Sequence, residues 1–356
     1  MTLSVTRKGH DRAVALLLFA ASVVCANAAA AGQVVREAAG ADAAAIQAAV
    51  DQFREDLGGP NNGTTSGSQA MGRREITWDG GGDAALATAF PSPMTTFANR
   101  GAVFVTPGTG FAISGQPMPE FGDLNVTYPN QFAAFSSPRL FTALNTNVMD
   151  VWFFVPGAGT VPAAVSGFGS VFTDVDSATS TKLEFYAPDG ALLYERFVPW
   201  TAGNETLSFL GVSFDAGEVI GRVRIISGNA APGPDETGDI DLVVMDDFIY
   251  GEPVSTLGLS VVPSTSRLSR AGAFDIVVDA TGLTASPVSG QVTLNGLDVT
   301  QAFLTCAAQT PGTQGSTFRC PITRGFLPSG DHTLQVEVTL TDGTRVRNAV
   351  RWTIVP

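Results

Sequence analysis

The sequence predicts an all-β protein: an antiparallel β-sandwich or barrel preceded by one helix, then a smaller immunoglobulin-like β-sandwich. Three observations predict it. From Arg73 to Pro253 the chain is a series of short apolar or alternating runs cut by Gly, Pro, Asn and Asp. No helical period intervenes between them, which removes a parallel α/β sheet. The last 103 residues hold six or seven more such runs, the density of an immunoglobulin-like sandwich. Only residues 42–58 carry a convincing helical period after the first 31.

Taken in order, Arg7, Lys8 and Arg12 precede the apolar run Ala13 to Val24, and Ala26-Asn27-Ala28 supplies small residues for cleavage. Residues 1–31 therefore read as a signal peptide, and the run is too short to span a bilayer. Val24 stands where a lipoprotein would need a small residue before Cys25. The expected location is secreted, periplasmic or at the cell surface, with no membrane insertion.

In residues 42–58, Asp42 is placed to cap the helix. Ile46, Val50, Phe53 and Leu57 share one face, Asp51, Arg54 and Glu55 the other, and Gly58-Gly59 ends the run. The apolar stripe is expected to pack on the following module; a partner-binding helix is the alternative. Residues 60–72 have no period and read as a linker, so residues 32–72 form an N-terminal helix and linker ahead of a sandwich over 73–253.

Within that sandwich, Lys182-Leu183-Glu184-Phe185 alternates as a half-buried strand does. Pro188-Asp189-Gly190 then turns the chain into Leu192–Val198, giving a hairpin. Further strands are expected at Glu75–Trp78, Ala102–Val105, Val148–Val155, Gly169–Phe172, Thr206–Phe214, Val219–Ile226 and Leu242–Tyr250.

The second sandwich, 254–356, has strand signals at Leu257–Val262, Ala273–Asp279, Gly290–Leu294, Ser316–Pro321, His332–Leu340 and Arg345–Ile354. Turns fall at Asn295-Gly296, Ser329-Gly330-Asp331 and Asp342-Gly343. Beyond the leader only Cys306 and Cys320 remain. In an exported chain this pair predicts a disulfide, worth about 3 kcal/mol by loop closure. With 13 residues between them, the spacing is wrong for an antibody-type intersheet bridge. The bridge is expected to tie neighbouring strands or pin a loop.

The formal charge is −13 for the whole chain and −15 for residues 32–356. The acidity is local: residues 32–253 carry 10 basic against 26 acidic side chains, and the last 103 residues 7 against 6. Such a surface repels phosphate backbones and anionic lipid and attracts divalent cations, which argues against nucleic-acid partners.

Several stretches, in order, resemble a group of exported bacterial proteins that has no assigned activity. They are Arg74–Gly80 (REITWDG), Phe135–Phe141 (FSSPRLF), Val151–Gly157 (VWFFVPG), Gly167–Asp176 (GFGSVFTDVD) and Val244–Pro253 (VMDDFIYGEP). The last also resembles the closing strand of galactose-binding-like jelly rolls. The resemblance implies a jelly-roll β-sandwich, a structural calcium and glycan binding. The last 103 residues resemble bacterial Ig-like domains, which implies a spacer or adhesive role; Val292–Gly296 (VTLNG) and His332-Thr333-Leu334 carry that likeness.

Chemistry is expected from acids first. Asp174 and Asp176, two apart at a strand end, can face one side. Asp246 and Asp247 interrupt an apolar strand, where bare carboxylates are costly to bury. Calcium (Ca2+), which takes six to eight oxygens, is the natural counter-charge for these four. Capping of turn amides, or pairing with Arg222 or Arg224, is the alternative. The loop Pro234–Asp241 adds four carboxylates but reads as a solvated acidic loop. For glycan contact the candidates are Trp200, on an apparent loop, Tyr194 and Trp78. Trp152 and Trp352 are expected in the core.

No catalytic residue is assigned. His332 is the only histidine beyond the leader, and the G-x-S-x-G, H-E-x-x-H, P-loop and G-x-G-x-x-G patterns are missing from the sequence. The expected function is a secreted, non-catalytic binding or adhesion protein that recognises a glycan or surface polymer. A glycoside hydrolase using two carboxylates and a structural envelope or matrix protein are the alternatives.

Overall fold

In the computed structural model the described residues are 32–80, 88–115, 119–263, 266–308, 310, 316–323 and 325–356. The predicted signal peptide, residues 1–31, lies outside them. Two compact units are present: Gln33–Ser213 with Val219–Ser255, and Thr256–Pro356 with Phe214–Glu218. The helix and the stretch read as a linker thus belong to the first unit.

The first unit opens with β1 (Gln33–Gly40), a strand the sequence did not announce, and helix α1 (Ala43–Leu57). There follow β2 (Arg73–Ile76), β3 (Thr88–Phe90), β4 (Ala102–Val105), β5 (Gly110–Ile113), β6 (Phe141–Leu144), β7 (Val148–Val155) and β8 (Ala158–Ala164). The remainder are β9 (Gly167–Thr173), β10 (Lys182–Tyr186), β11 (Leu192–Phe197), β12 (Leu207–Phe214), β13 (Arg222–Ile226), β14 (Val244–Gly251) and β15 (Val254–Ser255). One sheet has the order β1-β12-β9-β14-β6-β5-β3, with β2 also on β14. The other runs β11-β10-β13-β7-β8-β15, with β4 on β7. From β9 onward the chain passes back and forth between the sheets, an antiparallel sandwich of the jelly-roll kind. The predicted hairpin is β10–β11, with Lys182 opposite Phe197.

Strands β9, β12 and β14 are buried along their whole length, because their sheet is covered on both faces. On one side lies α1, whose Ile46, Val50 and Phe53 pack with Val171, Leu207, Phe209 and Ile249. Asp42 caps the helix by accepting the Ala45 N–H at 3.0 Å, and Gly58 ends it at φ 74°. On the other side is an aromatic core in which Trp78 stacks on Phe141 at 3.8 Å and meets Phe248 edge-on.

The helix approaches closely because Gly169 and Gly211 are direct cross-strand partners beneath Phe53. A Cβ on Gly211 would stand 2.7 Å from the Phe53 ring, and one on Gly169 would stand 2.9 Å from it. Two glycines side by side form the notch that receives the ring.

The second unit contains β16 (Ser260–Val262), β17 (Ser266–Ser269), β18 (Phe274–Asp279), β19 (Pro287–Leu294), β20 (Leu297–Asp298), helix α2 (Thr300–Ala308), β21 (Thr317–Ile322), β22 (Gly330–Leu340) and β23 (Arg345–Val355). The sheets are β16-β18-β21 and β23-β22-β19-β20, with β17 pairing parallel to β23. The core between them includes Trp352, Leu334, Ile276 and Phe303. This is the immunoglobulin-like division of strands, and Trp352 is core as expected.

Helix α2 corrects the reading of the disulfide. Cys306 lies on α2 and Cys320 on β21, with Cα atoms 5.5 Å apart, so the bridge ties a helix to a strand. Asp298 starts the helix by accepting the Thr300 N–H at 2.8 Å.

The glycine notch sets a stability test. Gly211→Ala, which pushes a methyl into the Phe53 ring, should cost about 1–3 kcal/mol by urea unfolding. Gly80→Ala, whose new Cβ meets nothing within 4 Å, should stay within about 0.5 kcal/mol of the parent. Equal effects from the two would refute the notch.

Candidate functional site

Four loops meet at the end of β9. The β9–β12 ladder stops at Thr173 opposite Leu207. The next residue, Asp174, takes a left-handed backbone at φ 69°, donating its N–H to the Thr206 carbonyl at 3.0 Å. Asp241, just before β14, then accepts from the Asp176 and Ser177 amides and the Ser180 hydroxyl, which fixes the loop after β9. The loop before β12 is laid alongside: Thr201 donates to the Val175 carbonyl at 3.0 Å, and Gly203 N–H to the Asp176 carboxylate at 2.8 Å. From the fourth loop the Gln131 amide donates to Glu236, whose other oxygen accepts the Leu242 N–H at 3.4 Å.

The result is a set of three carboxylates, Asp174, Asp176 and Glu236, with one oxygen from each lying within 4.8 Å of the others. Asp174 is 0% exposed, and neither of its oxygens accepts a hydrogen bond. No Lys or Arg among the described residues forms an ion pair with any of the three. Burial, then the adjacent Glu236 carboxyl, pushes Asp174 up to about 9. Burial also raises Glu236, and it raises Asp241 against the opposing hydrogen bond from Ser180. Carboxylates gathered out of water without basic partners need a proton or a hard cation between them.

Asp246 and Asp247 do not join this set, which corrects the four-acid expectation. Their compensation comes from protein donors. The Asp246 carboxylate accepts the Phe135 and Ser136 amides at 2.6 and 3.0 Å. Asp247 accepts the Ser136 hydroxyl at 2.6 Å and has Arg54 of α1 at 3.6 Å. Ser136 Oγ also stands 3.1 Å from Asp79 and 3.2 Å from Asp246. A hydroxyl has one proton to give to three carboxyls. Burial, then the Asp247 charge, lifts Asp246 well above its ordinary range, so this group retains a proton to higher pH. Arg222 and Arg224, the other suggested partners, both pair with Asp150 instead.

The aromatic candidates separate. Trp78 is 3% exposed and donates its indole N–H to the Asp246 carbonyl at 2.8 Å; it is core, a correction to its assignment as a ligand contact. Tyr194 is half-buried on β11, with its hydroxyl 3.3 Å from Arg196. Trp200 is 51% exposed on the loop that Asp176 holds. Trp152, expected in the core, is 41% exposed on β7. His332 is buried between Asn295 and the Pro328 carbonyl, a structural position. By sequence Glu236 reads only as part of a solvated loop, and Gln131 carries no sequence signal.

Two cavities, of about 590 and 250 Å³, lie in the second unit and contain none of the predicted site residues. Among the described residues no helix is long and apolar enough to cross a membrane. The disulfide fits an oxidising compartment.

No family model and no curated protein matches the chain. Among solved structures it is similar to the fibronectin(III)-like modules of Clostridium thermocellum CbhA: 10% identity, TM-score 0.20, covering 60% of this chain and 87% of that one. A second is the M60 catalytic domain with the CBM51-1 and CBM51-2 domains from Clostridium perfringens ZmpB, at 12% identity and TM-score 0.19, covering 75% of this chain and 28% of that one. The adhesin domain of Epf from Streptococcus pyogenes shares 9% identity at TM-score 0.17, covering 82% of this chain and 96% of that one. At such scores these likenesses assign no activity.

The Asp246 site predicts a pH effect with a definite sign. Its folded-state affinity for a proton exceeds that of the unfolded chain, whose ordinary value is 3.8. The native protein is therefore destabilised by this group as pH rises above about 4. Asp246→Asn removes that linkage, so variant stability minus parent stability should increase between pH 4.5 and 7.5 in urea unfolding. A difference that stays flat, or falls, would refute the raised Asp246.

Proposed function

We propose that the first sandwich is a calcium-binding, non-catalytic recognition module of a secreted protein, and that its ligand is a glycan or surface polymer. One observation carries the reading: Asp174 is sealed from solvent with both oxygens unpartnered, facing Asp176 and Glu236, and none of the three forms an ion pair with a basic group among the described residues. Asp174, Asp176 and Glu236 would hold the ion, whose charge replaces the proton that burial otherwise forces on the group.

The ion would organise a surface rather than a reaction. Asp176 also holds the loop that carries Trp200, so fixing this carboxylate fixes the exposed indole against which a sugar ring can stack. The paired-acid hydrolase draws no support from this cluster, since Asp174 has no exposed surface with which to reach a glycosidic oxygen. The immunoglobulin-like unit would act as spacer or docking module.

Calcium at 100 times its dissociation constant should stabilise the protein by about 2.7 kcal/mol, a rise of roughly 5–10 °C in unfolding midpoint over an EDTA sample. Asp174→Asn and Glu236→Gln should abolish the rise. An unchanged midpoint in the parent protein, with no heat of binding by calorimetry, would end the calcium reading. A glycan array run in calcium tests the recognition half, where Trp200→Ala should weaken whatever signal the parent gives.

A further inference from the structure

The outward face of the second sheet of the first unit is a different surface from the Asp174 loops. Alternation places Val148, Asp150 and Trp152 of β7 outward, with Met149, Val151 and Phe153 buried. The same parity brings out Arg222 and Arg224 on β13 and Lys182, Glu184 and Tyr186 on β10. Register aligns them in rows. Tyr186 lies opposite Arg222 and Arg222 opposite Trp152, while Glu184 lies opposite Arg224 and Arg224 opposite Asp150.

The first row is a stack. The Arg222 guanidinium sits 3.8 Å from the Tyr186 ring centroid and 5.6 Å from that of Trp152. Asp150 at 2.8 Å holds it there. Sandwiched between two rings and a carboxylate, the guanidinium fixes both aromatics without presenting a free charge. Trp152 is still 41% exposed, and Leu192 and Phe197 at the β11 edge are 50% and 45% exposed. Tyr186 and Trp152 are two strands apart, so their rings stand about 10 Å from one another across the sheet.

The charges of the face cancel across its rows. Arg224 closes on Asp150 at 2.9 and 3.0 Å, and Lys182 bridges Glu184 and Glu195 at 2.7 and 2.9 Å. Three cations and three anions are thus mutually paired, on a chain whose net charge is −13. An uncharged face on a strongly acidic molecule suits an uncharged partner. Spaced aromatics flanked by laterally paired polar groups suit one with apolar ring faces and hydroxyl edges.

We infer that this β10-β13-β7 face binds a neutral polysaccharide, with Trp152 as the principal stacking residue and Arg222 as the residue that positions it. The inference shares the glycan class of the reading above but uses neither its cation nor Trp200, so the two fail separately. An acidic polymer would meet the protein's like charge, and a protein partner would need a drier centre than a face threaded with ion pairs supplies.

The test is depletion binding of the full-length protein to cellulose, chitin and xylan, all in calcium, with polygalacturonate as the charged control. The parent should be retained by at least one neutral polymer. Trp152→Ala should lose at least tenfold in affinity, Trp152→Phe should keep most of it, and Trp200→Ala should match the parent on that polymer. Far-UV and near-UV circular dichroism check that each variant is folded. Retention by no neutral polymer, or equal binding by parent and Trp152→Ala, overturns the inference. So does loss caused by Trp200→Ala alone, which would leave the loop-site reading standing. A concentration-dependent dimer in the parent that Trp152→Ala converts to monomer also overturns it, since a second copy would then cover the face.

Discussion

Two neighbouring acids in a fully buried strand are the constraint around which the first unit is arranged. Successive strand residues point to opposite faces, so Asp246 and Asp247 cannot both reach one solvent edge. Strand β14 answers with a register shift between Met245 and Phe248 against β9. The chain then brings donors to the acids: the Phe135 and Ser136 amides, the Ser136 hydroxyl and Arg54 from the covering helix. The Asp246 carbonyl takes the Trp78 indole, and that ring seats Phe141 and Phe248. Three strands, β2, β6 and β9, pair with β14. A polar demand in one strand thus fixes the loop before β6 and the centre of the aromatic core together.

A second buried pair does similar work at the other end of β14. Arg74 is fully buried and meets Glu252 at 2.7 and 3.0 Å, while donating to the Gly63 and Gly67 carbonyls. Glu252 also accepts from Asn62 and the Gln69 amide. A buried pair of this kind adds little net stability against an apolar substitute but is costly to break on one side. Here it orders residues 60–72, whose composition has no period and reads as a linker.

Local signals were legible and long-range ones were not. Helix α1 and the β10–β11 hairpin are written in contiguous residues, with cap, stripe and turn in place. Asp174 and Asp176 share a face by spacing alone. Glu236 comes from a loop some 60 residues on, and nothing in its neighbours says which acid of Pro234–Asp241 turns inward. Asp246 and Asp247 resemble metal ligands in a string of letters because their compensating amides belong to residues 135 and 136. The direction of Trp152 was half visible: Asp150 at the same parity could not be buried bare, so the two share the outward face. Helix α2 is not legible because a nine-residue segment between strands is too short to declare its period. The disulfide was expected, but its two partners differ in kind from the two strands that a pure sandwich implies.

The position of β1 and α1 bears on how the chain reaches this state. β1 is the outer neighbour of β12, and α1 rests its apolar stripe on β9, β12 and β14. The first segment made therefore finds its partners among the last, and residues 33–58 must wait until the chain has been synthesised through Gly251. Closing so large a loop is slow. A nascent chain with this order of assembly leaves the apolar stripe of Ile46, Val50 and Phe53 uncovered until Ile249 has been made.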